Sequence, residues 1–258
     1  MFHPEKIQQN ILQFWREKLL YQGAGHIQEP KEGLGNNVIQ GAGISLRGWI
    51  DNDENKKALV FFGGNMMALH KFRHLNQFKD KAIYLFPYRG YEGQQGVPKS
   101  NDLMKDALCV VQEALKHHPD GVSVVGISLG TGFAMKVASQ VNLESLILIT
   151  PYDDITTVMK PYCLGMPVNH LLNESLNSKQ IASQIHCPVS ILKAEYDNIV
   201  PAQSTDTLIK ALTCPVHVET YPETHMGLWK GPSREWTLDF IRQRLNTVEK
   251  TYKAPFIS

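Results

Sequence analysis

Short, mostly apolar runs recur along this chain, most of them followed by a helical or glycine-rich segment. Residues 58–62, 82–86, 122–126, 143–150 and 189–194 are such runs, and the continuous one at 58–62 suits a strand covered on both faces. Residues 101–118 carry Leu103, Ala107, Val110, Val111 and Ala114 on one helical stripe. Residues 131–140 and 202–212 read as further helices, 216–221 as a strand and 234–245 as a closing helix. Strands alternating with helices imply right-handed crossovers and a mostly parallel sheet with helices on both faces. Upstream, residues 38–43 and 44–50 read as a hairpin, and a helix-like segment runs from the Gly63-Gly64-Asn65 turn to about Phe78. At 258 residues and 43% hydrophobic content, the chain can bury one large core. No internal repeat and no second-domain boundary is visible.

Composition narrows the partners. A net charge of +1 gives no field for a nucleic acid, so the expected partner is a small or neutral molecule. Cys109, Cys163, Cys187 and Cys214 are widely spaced and form no CxxC pair, which argues against a zinc site. His70 and His74 stand at i, i+4 but lack an HExxH context or a third ligand, so they read as surface histidines and no metal is expected. His117 and His118 close a helix and are given no chemistry. Met1-Phe2-His3-Pro4-Glu5 does not begin a signal peptide, and no run approaches the ~20 apolar residues of a membrane span. A cytoplasmic protein with free thiols is the expectation. Residues 5–20 read as a helix carrying Ile7, Ile11, Phe14, Trp15 and Leu19 on one face. Either that helix lies against the domain or it contacts a membrane surface or protein partner; Lys6, Arg16 and Lys18 supply only modest basic charge for the second reading. Residues 1–36 are thus an N-terminal helix and linker.

Chemistry concentrates at Gly126-Ile127-Ser128-Leu129-Gly130, a GxSxG between an apolar strand and a helix. A serine in so tight a turn needs very small neighbours, and the helix N-terminus behind it favours negative charge on a substrate oxygen. Ser128 is the candidate nucleophile. A serine hydroxyl needs a base, and the base needs orienting. Asp197 follows the strand at 189–194 and is preferred to Glu195 as the orienting acid. His225 lies after the last strand and before the closing helix, and fits the base better than His186 or His217. Two backbone N–H groups are expected to form an oxyanion hole: that of Leu129 and that of Asn65, with Met66 the alternative.

The ordered set Phe62-Gly63-Gly64-Asn65, Tyr88-Arg89-Gly90-Tyr91, Gly126 to Gly130, Pro151-Tyr152-Asp153, Cys187-Pro188-Val189, Asp197 to Pro201 and His225 resembles the α/β hydrolases of the BEM46/ABHD13-like group over residues 38–245. The resemblance implies the α/β-hydrolase fold over residues 37–258, cofactor-free serine esterase or thioesterase chemistry, and supports Asn65 as oxyanion donor. Three departures stand out. Gly63-Gly64 replaces a His-Gly pair. Glu92 and Gln94 replace a glycine and a serine in the Arg-Gly-Tyr-Gly-x-Ser-x-Gly-x-Pro run. The N-terminal membrane anchor of many members is not seen.

The expected activity is hydrolysis of an ester or thioester of a small acyl molecule through an acyl-enzyme on Ser128. Residues of about 152–180, with Pro161, Tyr162, Met166 and Pro167, are expected to form a short cap. A peptidase or amidase would use the same triad, and a catalytically silent scaffold on this fold is the reading from a different class.

Overall fold

The computed structural model describes residues 20–162 and 176–252. Eight strands form one sheet: β1 (Asn37–Gln40), β2 (Ser45–Asp51), β3 (Lys57–Phe62), β4 (Ala82–Leu85), β5 (Gly121–Ile127), β6 (Ser145–Ile149), β7 (Val189–Tyr196) and β8 (Val216–Thr224). Their spatial order is β1-β2-β4-β3-β5-β6-β7-β8. The β1–β2 and β2–β4 pairs are antiparallel, and every pair from β4 onward is parallel. The main helices are α1 (Ser100–His117), α2 (Leu129–Ala138), α3 (Ile155–Met159), α4 (Ser178–Ile181), α5 (Ala202–Ala211) and α6 (Ser233–Tyr252).

The central strands feed two cores because successive side chains point to opposite faces. On β3, Ala58, Val60 and Phe62 join one core with Leu103 and Val111 of α1, Phe133 of α2 and Leu208 of α5. Leu59 and Phe61 join the other, with Phe72, Phe78 and Leu238, Phe240 and Ile241 of α6. This double burial is why the strands read as mostly apolar runs.

One expected helix is absent. Between Met66 and Phe78 the chain makes two 3-10 turns, Leu69–Phe72 and Asn76–Phe78. Side chains from elsewhere capture the backbone donors that an α-helix would have used. The Glu92 carboxylate accepts from Leu69 N–H at 2.5 Å and His70 N–H at 3.2 Å, and Asp51 Oδ2 accepts from His74 N–H at 2.8 Å. His74 itself takes φ +57°, which no α-helix contains. His70 therefore turns to Glu92 (Nδ1–Oε2 2.6 Å) while the His74 side chain stays exposed. His118, at the end of α1, is buried between Tyr84 Oη at 2.8 Å and the Asn55 carbonyl at 2.7 Å. Among the described residues no helix is long and apolar enough to cross a membrane. The helix expected over residues 5–20, except Leu20, and residues 163–175 of the expected cap lie outside the described residues.

Candidate active site

The parallel strands deliver their chemistry to one edge. β3 ends at Phe62, β5 at Ile127, β7 at Tyr196 and β8 at Thr224, so Gly63, Ser128, Asp197 and His225 each leave the carboxyl end of a strand. Ligands gather at this edge in open α/β sheets.

Ser128 stands at the turn from β5 into α2 with φ +51° and ψ −116°, a conformation costing on the order of 1–3 kcal/mol for a residue with a side chain. The turn closes because its neighbours have no Cβ. A methyl on Gly130 would come within 2.1 Å of the Phe62 carbonyl oxygen, and one on Gly126 within 2.7 Å of the Ala134 Cβ. Ser128 N–H donates to the Ile149 carbonyl at 2.9 Å, and Thr131 Oγ1 donates to the Ser128 carbonyl at 2.6 Å. The hydroxyl is thus aimed by a backbone pinned on both sides.

Asp197, His225 and Ser128 form one hydrogen-bonded line. Asp197 Oδ1 accepts from the N–H groups of Ile199 at 2.9 Å and Val200 at 2.8 Å, which lock the carboxylate in the turn before α5. His225 Nδ1 lies 2.9 Å from Asp197 Oδ2, and its Nε2 lies 2.8 Å from Ser128 Oγ. A carboxylate only accepts, so the ring proton sits on Nδ1 and the bare Nε2 accepts from the serine hydroxyl. The His225 side chain is 4% exposed and that of Asp197 9%, which shields the line from competing water. Glu195 is exposed and takes no part; His186 is exposed, and His217 bonds Glu219 at 2.7 Å.

The loop after β3 lies over the serine: a Cβ on Gly64 would stand 3.5 Å from Ser128 Cβ. Gly64 N–H donates to Met67 Sδ at 3.4 Å. Asn65 and Met66 follow it in the same loop, and both line the cavity beside Leu129. Leu129 is the first residue of α2, where N–H groups have no partner inside the helix.

A cavity of about 230 Å³ opens over Ser128 and His225. Met66, Met67, Ile155, Val158, Met159, Tyr162, Met226 and Trp229 line it. Among the described residues its lining holds no Asp, Glu, Lys or Arg. Sequence reasoning gave no role to three contributors. Tyr152 Oη donates to the Leu129 carbonyl at 3.1 Å, holding the residue next to the serine. Leu20 and Gln22 line the cavity from the N-terminal segment, and nothing in their local sequence marks them for that place.

The family model described as the dienelactone hydrolase family matches residues 78–230, more than half the chain. The uncharacterized protein Rv2307c of Mycobacterium tuberculosis is 30% identical over 145 residues, 55% of this chain and 51% of the relative. The lysophosphatidylserine lipase ABHD12 of Danio rerio is 30% identical over 140 residues, 47% of this chain and 37% of the relative. The chain spans about half the length of the first curated relatives it matches. Among solved structures, the Pyrococcus furiosus esterase Pf2001 superposes with a TM-score of 0.65 at 15% identity, over 87% of this chain and 97% of the esterase. That likeness gives the α/β-hydrolase fold.

Proposed function

The chain belongs to the dienelactone hydrolase family of α/β hydrolases, and from that premise we propose that it is a serine hydrolase cleaving a carboxylic ester or thioester through an acyl-enzyme on Ser128. The observation that carries this reading is the buried line from Asp197 through His225 to Ser128 at the floor of an apolar cavity.

In this mechanism His225 Nε2 takes the Ser128 proton as Oγ attacks the acyl carbonyl. The N–H groups of Leu129 and Asn65 receive the oxyanion, with Met66 the alternative donor on the second side. The imidazolium then protonates the leaving alcohol or thiol, with Asp197 stabilising its charge. Water, deprotonated by the same ring, attacks the acyl-enzyme and releases the acid with Ser128 restored. The methionine-rich lining favours an uncharged, apolar acyl group, since flexible thioethers fill irregular gaps around aliphatic chains. The lipase name of the Danio rerio relative points the same way. Cytoplasmic residence and membership of the BEM46/ABHD13-like group complete the proposal; the motif order supports the second.

A fluorophosphonate probe tests the reading without assuming a substrate, because it needs only an activated serine and an oxyanion hole. Peptide mass spectrometry is expected to place the adduct on Ser128, with Ser128→Ala unlabelled. Labelling of another serine, or none in folded protein, would overturn it.

A further inference from the structure

Three residues of one loop grip the segment that covers Ser128. Tyr88 Oη donates to the Gly63 carbonyl at 2.8 Å, Tyr91 Oη donates to Asn65 Oδ1 at 2.7 Å, and the buried Glu92 carboxylate accepts from Leu69 and His70 N–H. Asn65 receives a second bond, from Gly23 N–H to the same Oδ1 at 3.3 Å. An N–H can only donate, so the amide orientation of Asn65 is fixed by its partners.

The gripping loop is itself held firmly. Arg89 makes a two-pronged pair with Asp106 of α1, at 2.7 and 2.8 Å. Gly25 N–H donates to the Gly90 carbonyl at 3.0 Å, and Glu92 N–H to the Ile27 carbonyl at 3.1 Å. The N-terminal segment thereby laces onto the loop from the other side. Contact at Gly23 is so close that a Cβ there would lie 2.0 Å from the Asn65 carbonyl oxygen and 2.4 Å from the Tyr91 ring. Glu92 holds φ +51°, a conformation a glycine would take freely; its carboxylate contacts with Leu69 and His70 are what that backbone position supports.

We propose that Tyr91 and Gly23 are positioning residues that set Asn65 against Ser128, so that the N-terminal segment is part of the oxyanion side of the site. This rests on the serine-hydrolase reading above. Burial drives the Tyr91 phenol well above its usual range, so its hydroxyl stays a donor at every working pH. The arrangement is pre-organisation: a donor held before substrate arrives costs no reordering during reaction.

The test is Tyr91→Phe, which removes one oxygen and leaves the packing, assayed on p-nitrophenyl esters beside wild type, with Gly23→Ala as the second variant. For Tyr91→Phe, kcat is expected to fall about 10- to 100-fold, the range a small misplacement produces, with KM within about twofold and an unchanged melting temperature. Phenylboronic acid, which mimics the tetrahedral state, is expected to weaken in parallel with kcat. A folded Tyr91→Phe enzyme with wild-type kcat and boronate affinity overturns the inference alone. A wild-type protein inert to both ester and fluorophosphonate overturns the hydrolase reading and this inference with it.

Discussion

Asp197 brings both carboxylate oxygens to His225 Nδ1, Oδ1 at 3.0 Å and Oδ2 at 2.9 Å, and Oδ1 alone also takes the N–H groups of Ile199 and Val200. The orienting acid is thus itself oriented by backbone before it meets the ring.

Asp197→Asn exploits the two backbone N–H groups held by Oδ1 alone. The amide oxygen would stay on the two N–H groups, turning its NH₂ toward Nδ1. The ring proton then moves to Nε2, the wrong side for accepting from Ser128. A loss in kcat on the order of 10⁴-fold is expected, with little change in unfolding midpoint, measured by ester hydrolysis and denaturant titration.

The Arg89–Asp106 pair is buried and also receives Ala42 N–H on Asp106 Oδ1 at 2.7 Å. Removing one partner strands the other charge. Arg89→Met is expected to cost about 3–5 kcal/mol, and the double replacement Arg89→Met with Asp106→Leu distinctly less. Urea unfolding of the two variants checks the difference.

Cys187 is pushed up to about 12 by burial, with Cys214 nearby adding to the shift. Only a thiolate alkylates, so at pH 8 about one molecule in ten thousand is reactive there. Iodoacetamide is expected to modify Cys187 far more slowly in native protein than in urea, read by peptide mass spectrometry.

Burial opposes ionisation of Glu249, yet hydrogen bonds from Lys81 at 2.9 Å and Lys57 at 3.0 Å outweigh it and hold the carboxyl below its usual range. A depressed folded value stabilises above the unfolded one and is lost as pH falls through the folded one. Glu249→Gln is therefore expected to lose about 1–3 kcal/mol at pH 7, with the gap to wild type closing below about pH 4. Denaturant midpoints across that window decide it.

The parallel sheet was readable because β3, β4, β5 and β6 bury both faces and so carry predominantly apolar runs. Ser128, Asp197 and His225, picked from strand ends, do meet in space. Residues 66–78 misled because their apolar spacing is helical, while the bonds that break the helix come from Glu92 and Asp51, distant in sequence. The same limit hid the lacing of Gly23 to Asn65: a glycine in a loose stretch shows nothing of what approaches it. Glu92 and Gln94, read as departures from a loop pattern, prove to be structural. Gln94 Nε2 donates to the Arg47 and Pro87 carbonyls at 2.9 and 3.3 Å.

The lacing also bears on how the protein refolds. The loop over Ser128 is held by Gly23, Tyr88, Tyr91 and Glu92, and Asp106 anchors the 88–92 segment through Arg89. Ester turnover needs all of these contacts in place, whereas the sheet signal needs only the strands. Recovery of ester turnover after dilution from denaturant is therefore expected to trail the recovery of sheet signal.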